Sequence, residues 1–353
     1  MNIKQKDNDR DMKTDIAKPG FCCLGIVDTC MLNCQMCDKW KGDLWAKGKD
    51  EPTNEQYKEF LKQLRSIVDE GFEINIGGGE ALMRKDLLEL VRYMKDLGFR
   101  VTIASNGWLI DKEMAKRIVD SGLDSLIISI DSLNPALHDE MRGVEGVHSR
   151  AMNALKYVRS YSKDIHLGLC TIIMEKTIDG IIDLANWSRK RPELINSHLF
   201  MALMQPNNTE VEQEWMEKEK GNLWPQDIDK VTRVLDELIV RRARGEWIGN
   251  SVEQLEAMRS YFKNPLCFVK KTACNLDKAL HVSAIGDIFL CFRHEILGNI
   301  KEARSDIGKQ WFSDEYERTR ENIRKCQDNC HYLINCYFEG DYPFVVKEKE
   351  VVS

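Results

Sequence analysis

The chain has 353 residues, of which 43% are hydrophobic and 31% charged, the balance of an ordinary soluble globular protein. Its net charge of −6 argues against a broad basic face for nucleic acid. No apolar run reaches the ~20 residues that span a bilayer, and residues 1–20 are polar without a signal-peptide core, so a cytoplasmic protein with no membrane partner is expected.

From residue 21 onward, short apolar runs alternate with amphipathic segments. Strands are predicted at Cys22–Val27, Glu73–Ile76, Arg100–Ala104, Ser125–Ile130, His166–Ile172 and His198–Ala202. Helices are predicted between them at Thr53–Glu70, Lys85–Leu97, Asp111–Ser121, Ser149–Ser160 and Ile178–Lys190. Thr53 with Gln56 forms a capping-box pattern, and Gly71 and Gly98 are placed to end helices. Strand–helix alternation of this kind gives parallel βα units with right-handed crossovers. An α/β fold follows, either a partial (β/α)6 barrel or a doubly wound open sheet. In both, ligands gather at the C-terminal ends of the strands.

Residues 205–265 change character, with turn signals and helical stretches at Gln226–Arg244 and Ser251–Phe262. Trp215, Trp224 and Trp247 are expected to pack there. Residues 266–343 are cysteine-rich and poorly periodic, which suits a small domain organised by metal; residues 344–353 form a tail.

Twelve cysteines in a reducing compartment point to metal ligation before disulfides. Cys30, Cys34 and Cys37 read C-x3-C-x2-C directly after the first strand. Three close thiolates suit an iron–sulfur cubane, which normally takes four. A loop offering three leaves one iron open for a small molecule. Structural zinc would want a fourth Cys or His in the loop, and the first histidine is His138. Cys22, Cys23 and Cys170 are expected to pack on strands.

On these residues the chain resembles the radical S-adenosylmethionine (SAM) superfamily, over roughly Phe21 to Ala202. Gly77-Gly78-Gly79-Glu80 after the second strand is similar to the motif that meets the SAM amino group, which implies Gly78, Gly79 and Glu80 as contacts. Ser105 and Asn106 stand where the superfamily contacts ribose and carboxylate; Ser129 and Asp131 stand where it has polar SAM contacts. Arg142 suits the SAM carboxylate as a bidentate partner, with a surface role as the alternative. One departure is Met36, where an aromatic usually precedes the third cysteine.

The C-terminal cysteines resemble the SPASM/twitch extension of these enzymes. Cys274 and Cys291 read C-x11-G-x4-C around Gly286, and Cys326, Cys330 and Cys336 read C-x3-C-x5-C. Gly340 stands where a further cysteine is usual. One auxiliary [4Fe–4S] cluster is the implied reading and two clusters the alternative, with Cys267 the weakest ligand. The resemblance implies an oxidoreductase-type enzyme. It would cleave SAM reductively to a 5′-deoxyadenosyl radical that takes a hydrogen atom from a substrate. Its partners would be an electron donor such as flavodoxin or ferredoxin and a small metabolite or natural-product precursor. A peptide substrate is the second reading, weakened by the short polar stretch before the barrel. No residue is singled out as a catalytic base.

Overall fold

In the computed structural model, residues 18–41, 50–205, 215–218, 222–265, 268–270, 274–302, 305–326, 332–335 and 344–346 are described. Cys267, Cys330, Cys336 and Gly340 lie outside them.

The first six strands are β1 (Phe21–Val27), β2 (Glu73–Gly78), β3 (Arg100–Ser105), β4 (Ser125–Ser129), β5 (His166–Ile173) and β6 (Ser197–Ala202). Helices follow as α1 (Asn54–Arg65), α2 (Leu87–Asp96), α3 (Lys112–Asp120), α4 (Pro135–Arg142), α5 (Val147–Tyr161) and α6 (Ile181–Arg189). The six strands pair in chain order, all parallel. Their outward residues, such as Ile26, Ile74, Val101, Leu126 and Leu169, are buried in one hydrophobic core. Their inward residues border a shared cavity, so the sheet curls as a partial barrel.

The Thr53–Gln56 capping box forms: Thr53 N donates to Gln56 Oε1 at 2.8 Å, and Gln56 N to Thr53 Oγ1 at 3.3 Å. α1 stops at Arg65, short of the expected Glu70, so Gly71 ends no helix; its N–H donates to Gly98 O at 3.1 Å and turns the chain into β2. Gly98 does follow the last turn of α2. The sequence reading missed α4. Its signal is Asn134-Pro135: the Asn134 side chain accepts from Ala136 N, and proline opens the first turn.

After β6 come α7 (Trp215–Lys218), α8 (Ile228–Ala243) and α9 (Val252–Lys263). Trp215 and Trp224 are buried and meet edge-on at 5.9 Å, as expected of packing aromatics. Trp247 is instead 48% exposed, because it lies in the turn leading from α8 to the edge of β6.

The C-terminal region contains β7 (Phe268–Lys270), β8 (Ala279–Val282), β9 (Asp287–Phe289), β10 (Gly298–Asn299), α10 (Ile307–Gln310), α11 (Asp314–Lys325) and β11 (Phe344–Val346). β8 pairs parallel to β1 in the register Phe21↔Ala279 to Leu24↔Val282. β9 and β10 then add antiparallel, giving a sheet ordered β10-β9-β8-β1-β2-β3-β4-β5-β6. β11 and β7 form a separate antiparallel pair. Gly286 turns the β8–β9 hairpin at φ +90°, a conformation that favours glycine.

Candidate SAM and iron–sulfur site

The loop carrying Cys30, Cys34 and Cys37 leaves the C-terminal end of β1 and is braced from two sides. On one side is the Gly77–Glu80 turn. Gly79 N donates to Val27 O and Glu80 N to Thr29 O, both at 2.9 Å. A Cβ on Gly78 would stand 2.2 Å from Val27 O, and one on Gly79 only 1.9 Å from Thr29 O. Only a chain without side chains there can lie this close to the loop. On the other side is the end of α4. Gln35 N donates to Met141 O at 2.9 Å, and Gln35 Nε2 to Glu140 O at 3.0 Å. Gly143, at φ +72°, would place a Cβ 2.4 Å from Asn33 O.

The three thiols lie near enough to act on one another. Burial pushes the Cys34 thiol up to about 11, Arg142 pulls against that, and Cys37 and Cys30 raise it further. Cys30 is also raised, first by burial. Leu32 N donates to Cys30 Sγ and Lys39 N to Cys37 Sγ, both at 3.5 Å; Asn106 Nδ2 stands 3.8 Å from Cys30 Sγ. Among the described residues no three His, Cys, Asp or Glu side chains gather around a single metal-ion position. A cubane makes a different demand, one thiolate per iron. Three thiols on one braced loop, with N–H donors at two of the sulfurs, fit such a cluster.

The other site residues occupy distinct positions. The Glu80 carboxylate is buried and accepts from Ser105 Oγ at 2.9 Å, Asn106 N at 2.8 Å and Leu82 N at 3.3 Å. Burial nevertheless raises its pKa above the usual carboxylate value. Asp131 is fully buried and pairs with Arg142 at 2.7 Å; its other oxygen accepts from Ile172 N at 3.1 Å. Arg142 is thus buried, not a surface residue. Burial opposes its charge, but Asp131 outweighs that and holds the guanidinium ionised. Ser129 ends β4 in register with Cys170 of β5.

These elements surround a cavity of about 990 Å³. Gly78, Arg142 and Cys37 line it, while Glu80, Ser105, Asn106 and Asp131 sit behind its rim. Cys22 is buried on β1 as expected, but Cys23 points the other way and lines the cavity, because strand neighbours alternate faces. Cys170 is half-buried, its Sγ 3.1 Å from Met201 Sδ.

Of the C-terminal cysteines, Cys274 and Cys291 are buried, and Cys291 lines the same cavity as Cys37. Cys326 caps α11, which Arg324 ties to Asp277 at 3.2 Å, close to Cys274 in the chain. Sequence reasoning missed the cavity residues His281, Phe289 and Phe292 and the bracing Gly143. Gly143 carried a signal, as a glycine just past a proline-started helix.

A partial barrel with a braced three-cysteine loop on its C-terminal rim defines the radical SAM class. Residues 24–187 match the model of the Radical SAM superfamily, and this segment is a radical SAM domain. The chain is 32% identical over 153 residues to an AdoMet-dependent heme synthase of Methanosarcina barkeri, covering 43% of this chain and 42% of that relative. It is 26% identical over 216 residues to the PqqA peptide cyclase of Bradyrhizobium diazoefficiens, covering 61% of this chain and 53% of the relative. The chain therefore spans about half the length of these relatives. The solved structure of native anSMEcpe with bound AdoMet shares the fold at a TM-score of 0.64 and 16% identity, covering 90% of this chain and 88% of that one.

Proposed function

We propose that the chain is a radical SAM enzyme of oxidoreductase type. When bound, a reduced [4Fe–4S] cluster with SAM would supply the chemistry: one-electron cleavage of SAM to methionine and a 5′-deoxyadenosyl radical able to take a hydrogen atom from a substrate C–H bond. The carrying observation is the braced thiol loop, opening through Cys37 onto a large cavity. Cys30, Cys34 and Cys37 would hold the cluster. The Gly78–Gly79 backbone gives SAM close approach, and Glu80, with three of about four acceptor positions used, keeps one for an ammonium. Ser105, Asn106 and Asp131 would position the rim around SAM, Ser129 would add a polar contact from the end of β4, and Arg142 lines the cavity itself. The barrel wall excludes water from the reacting centre.

In this reading residues 21–204 are the radical core, and 266–343 a SPASM/twitch-like region. Cys274 and Cys291, with Cys326, Cys330 and Cys336, would hold an auxiliary cluster that accepts an electron or orients substrate. An electron donor of the flavodoxin or ferredoxin kind and a cytoplasmic setting accompany it. The substrate is a small metabolite or natural-product precursor. Similarity to a peptide cyclase across 61% of the chain favours a peptide as the second reading.

The test is anaerobic reconstitution, then dithionite and SAM. The full chain should release 5′-deoxyadenosine, and Cys34→Ala should not. Equal yields would remove the triad from the proposal. Iron remaining in a variant lacking all three triad cysteines counts the auxiliary clusters, about four irons for each.

A further inference from the structure

The wall that β8 and β9 add to the cavity takes no part in holding the triad. It is aromatic. His281 stacks on Phe289 with ring centroids 5.2 Å apart and planes 7° apart, and Phe292 lies 5.0 Å from both. Phe21 closes on His281 edge-on at 6.0 Å. Burial lowers the His281 pKa to about 4, so its ring is neutral at pH 7 and stacks as an uncharged aromatic. Phe292 is 44% exposed and Ile296 60%, and both line the cavity. Apolar side chains left open inside a pocket mark where apolar ligand surface is covered.

The charges of the wall narrow the choice. Lys39 pairs with Asp28 at 3.3 Å, and Arg142 with Asp131 at 2.7 Å. Asp287 also lies in the wall and accepts from Asn299 Nδ2 at 2.8 Å. Among the described lining residues, both full cations are thus already matched by carboxylates of the chain. A substrate phosphate or carboxylate entering beside SAM would lose its hydration, and the cations it met would be Lys39, already paired with Asp28, and Arg142, already paired with Asp131 and assigned to SAM.

We infer that the substrate lays an uncharged aromatic or branched aliphatic group on the Phe289–Phe292–Ile296 platform and brings no anionic group into the cavity. This rests on the radical-enzyme reading only for the word substrate; the platform is a binding site in its own right. It shares one cavity with Cys37 and lies on the segment that carries Cys291, so a molecule bound on it sits within reach of both cysteine groups.

The test measures binding to the anaerobically reconstituted full chain with SAM and no reductant, so that no SAM is cleaved. The probes are N-acetylphenylalaninamide and phenyl phosphate, which share a ring and differ in charge. Saturable binding of the neutral probe is expected, with phenyl phosphate at least tenfold weaker. Phe292→Ser should weaken the neutral probe at least tenfold, and Phe292→Leu should restore most of it. Phe312→Ser, equally exposed at 44% but outside the cavity wall, is the surface control and should change nothing. Absence of neutral-probe binding, equal affinity for phenyl phosphate, or an unaffected Phe292→Ser would each overturn the inference. Because nothing turns over, these results are separate from the release of 5′-deoxyadenosine.

Discussion

The Glu80 carboxylate accepts three hydrogen bonds, from Leu82 in the turn past β2, from Ser105 at the end of β3 and from Asn106 just beyond it, and so ties two strand ends together before any ligand arrives. The glycines before it do the matching work on the cysteine loop. Gly79→Ala would drive a Cβ into Thr29 O at 1.9 Å, against backbone that cannot swing aside. The expected cost is about 1–3 kcal/mol of stability, with loss of iron from the triad. Gly77→Ala, whose Cβ would meet nothing within 4 Å, should keep both. Melting and iron content per chain check this, and equal behaviour of the two variants would remove the bracing role. The Gly-Gly-Gly-Glu run was legible in the sequence because glycine at a tight approach is a local requirement. That Ser105 and Asn106 are the donors to Glu80 was not, since they lie on another strand.

At the scale of elements, the edge of β6 is closed by an unusual means. His198 is bridged by the 247–249 turn: its N–H donates to Trp247 O at 2.9 Å, and Gly249 N donates to its O at 2.8 Å. The next outward-facing residue, Phe200, exchanges both backbone bonds with the Asn250 side-chain amide at 2.8 Å. Ala202 does the same with Asn335, also at 2.8 Å. Two amides and a turn therefore stand in for a neighbouring strand and remove an aggregation-prone edge. They also leave these positions of β6 no backbone groups for an extended peptide to pair with. Asn250→Ala would strip partners from the Phe200 backbone and from Gln254, which Asn250 meets at 3.0 Å. A loss of about 1–3 kcal/mol is expected. Urea denaturation should show it, together with faster hydrogen exchange at the Phe200 amide; unchanged exchange there would refute the edge role. Strand β6 itself was readable from its apolar run, but asparagines so far along the chain give no hint that they complete it.

For the whole molecule, three buried histidines govern the acid limit. Burial lowers His138 and His281 to about 4 and His198 to about 3, from an ordinary 6.5. Below pH 6.5 the unfolded chain therefore takes protons that the folded chain refuses. The stabilising difference is whole above that pH and is lost as pH falls toward 4, at about 1.4 kcal/mol per pH unit for each histidine. Urea midpoints should fall steadily between pH 6.5 and 4.5, and a flat profile would contradict the burial of these rings. Local patterns determined much of this protein: the triad's spacing, the glycine turn, the alternation of strand and helix, and hence an α/β fold with its site at the C-terminal ends of the strands. Each is settled by backbone geometry within a few residues. Tertiary structure alone decided that β8 joins β1 through Phe21 and Ala279, that asparagine amides seal β6, and that an aromatic wall shares a cavity with the thiol loop. Those outcomes depend on which distant surfaces bury one another, and no short-range pattern carries that information.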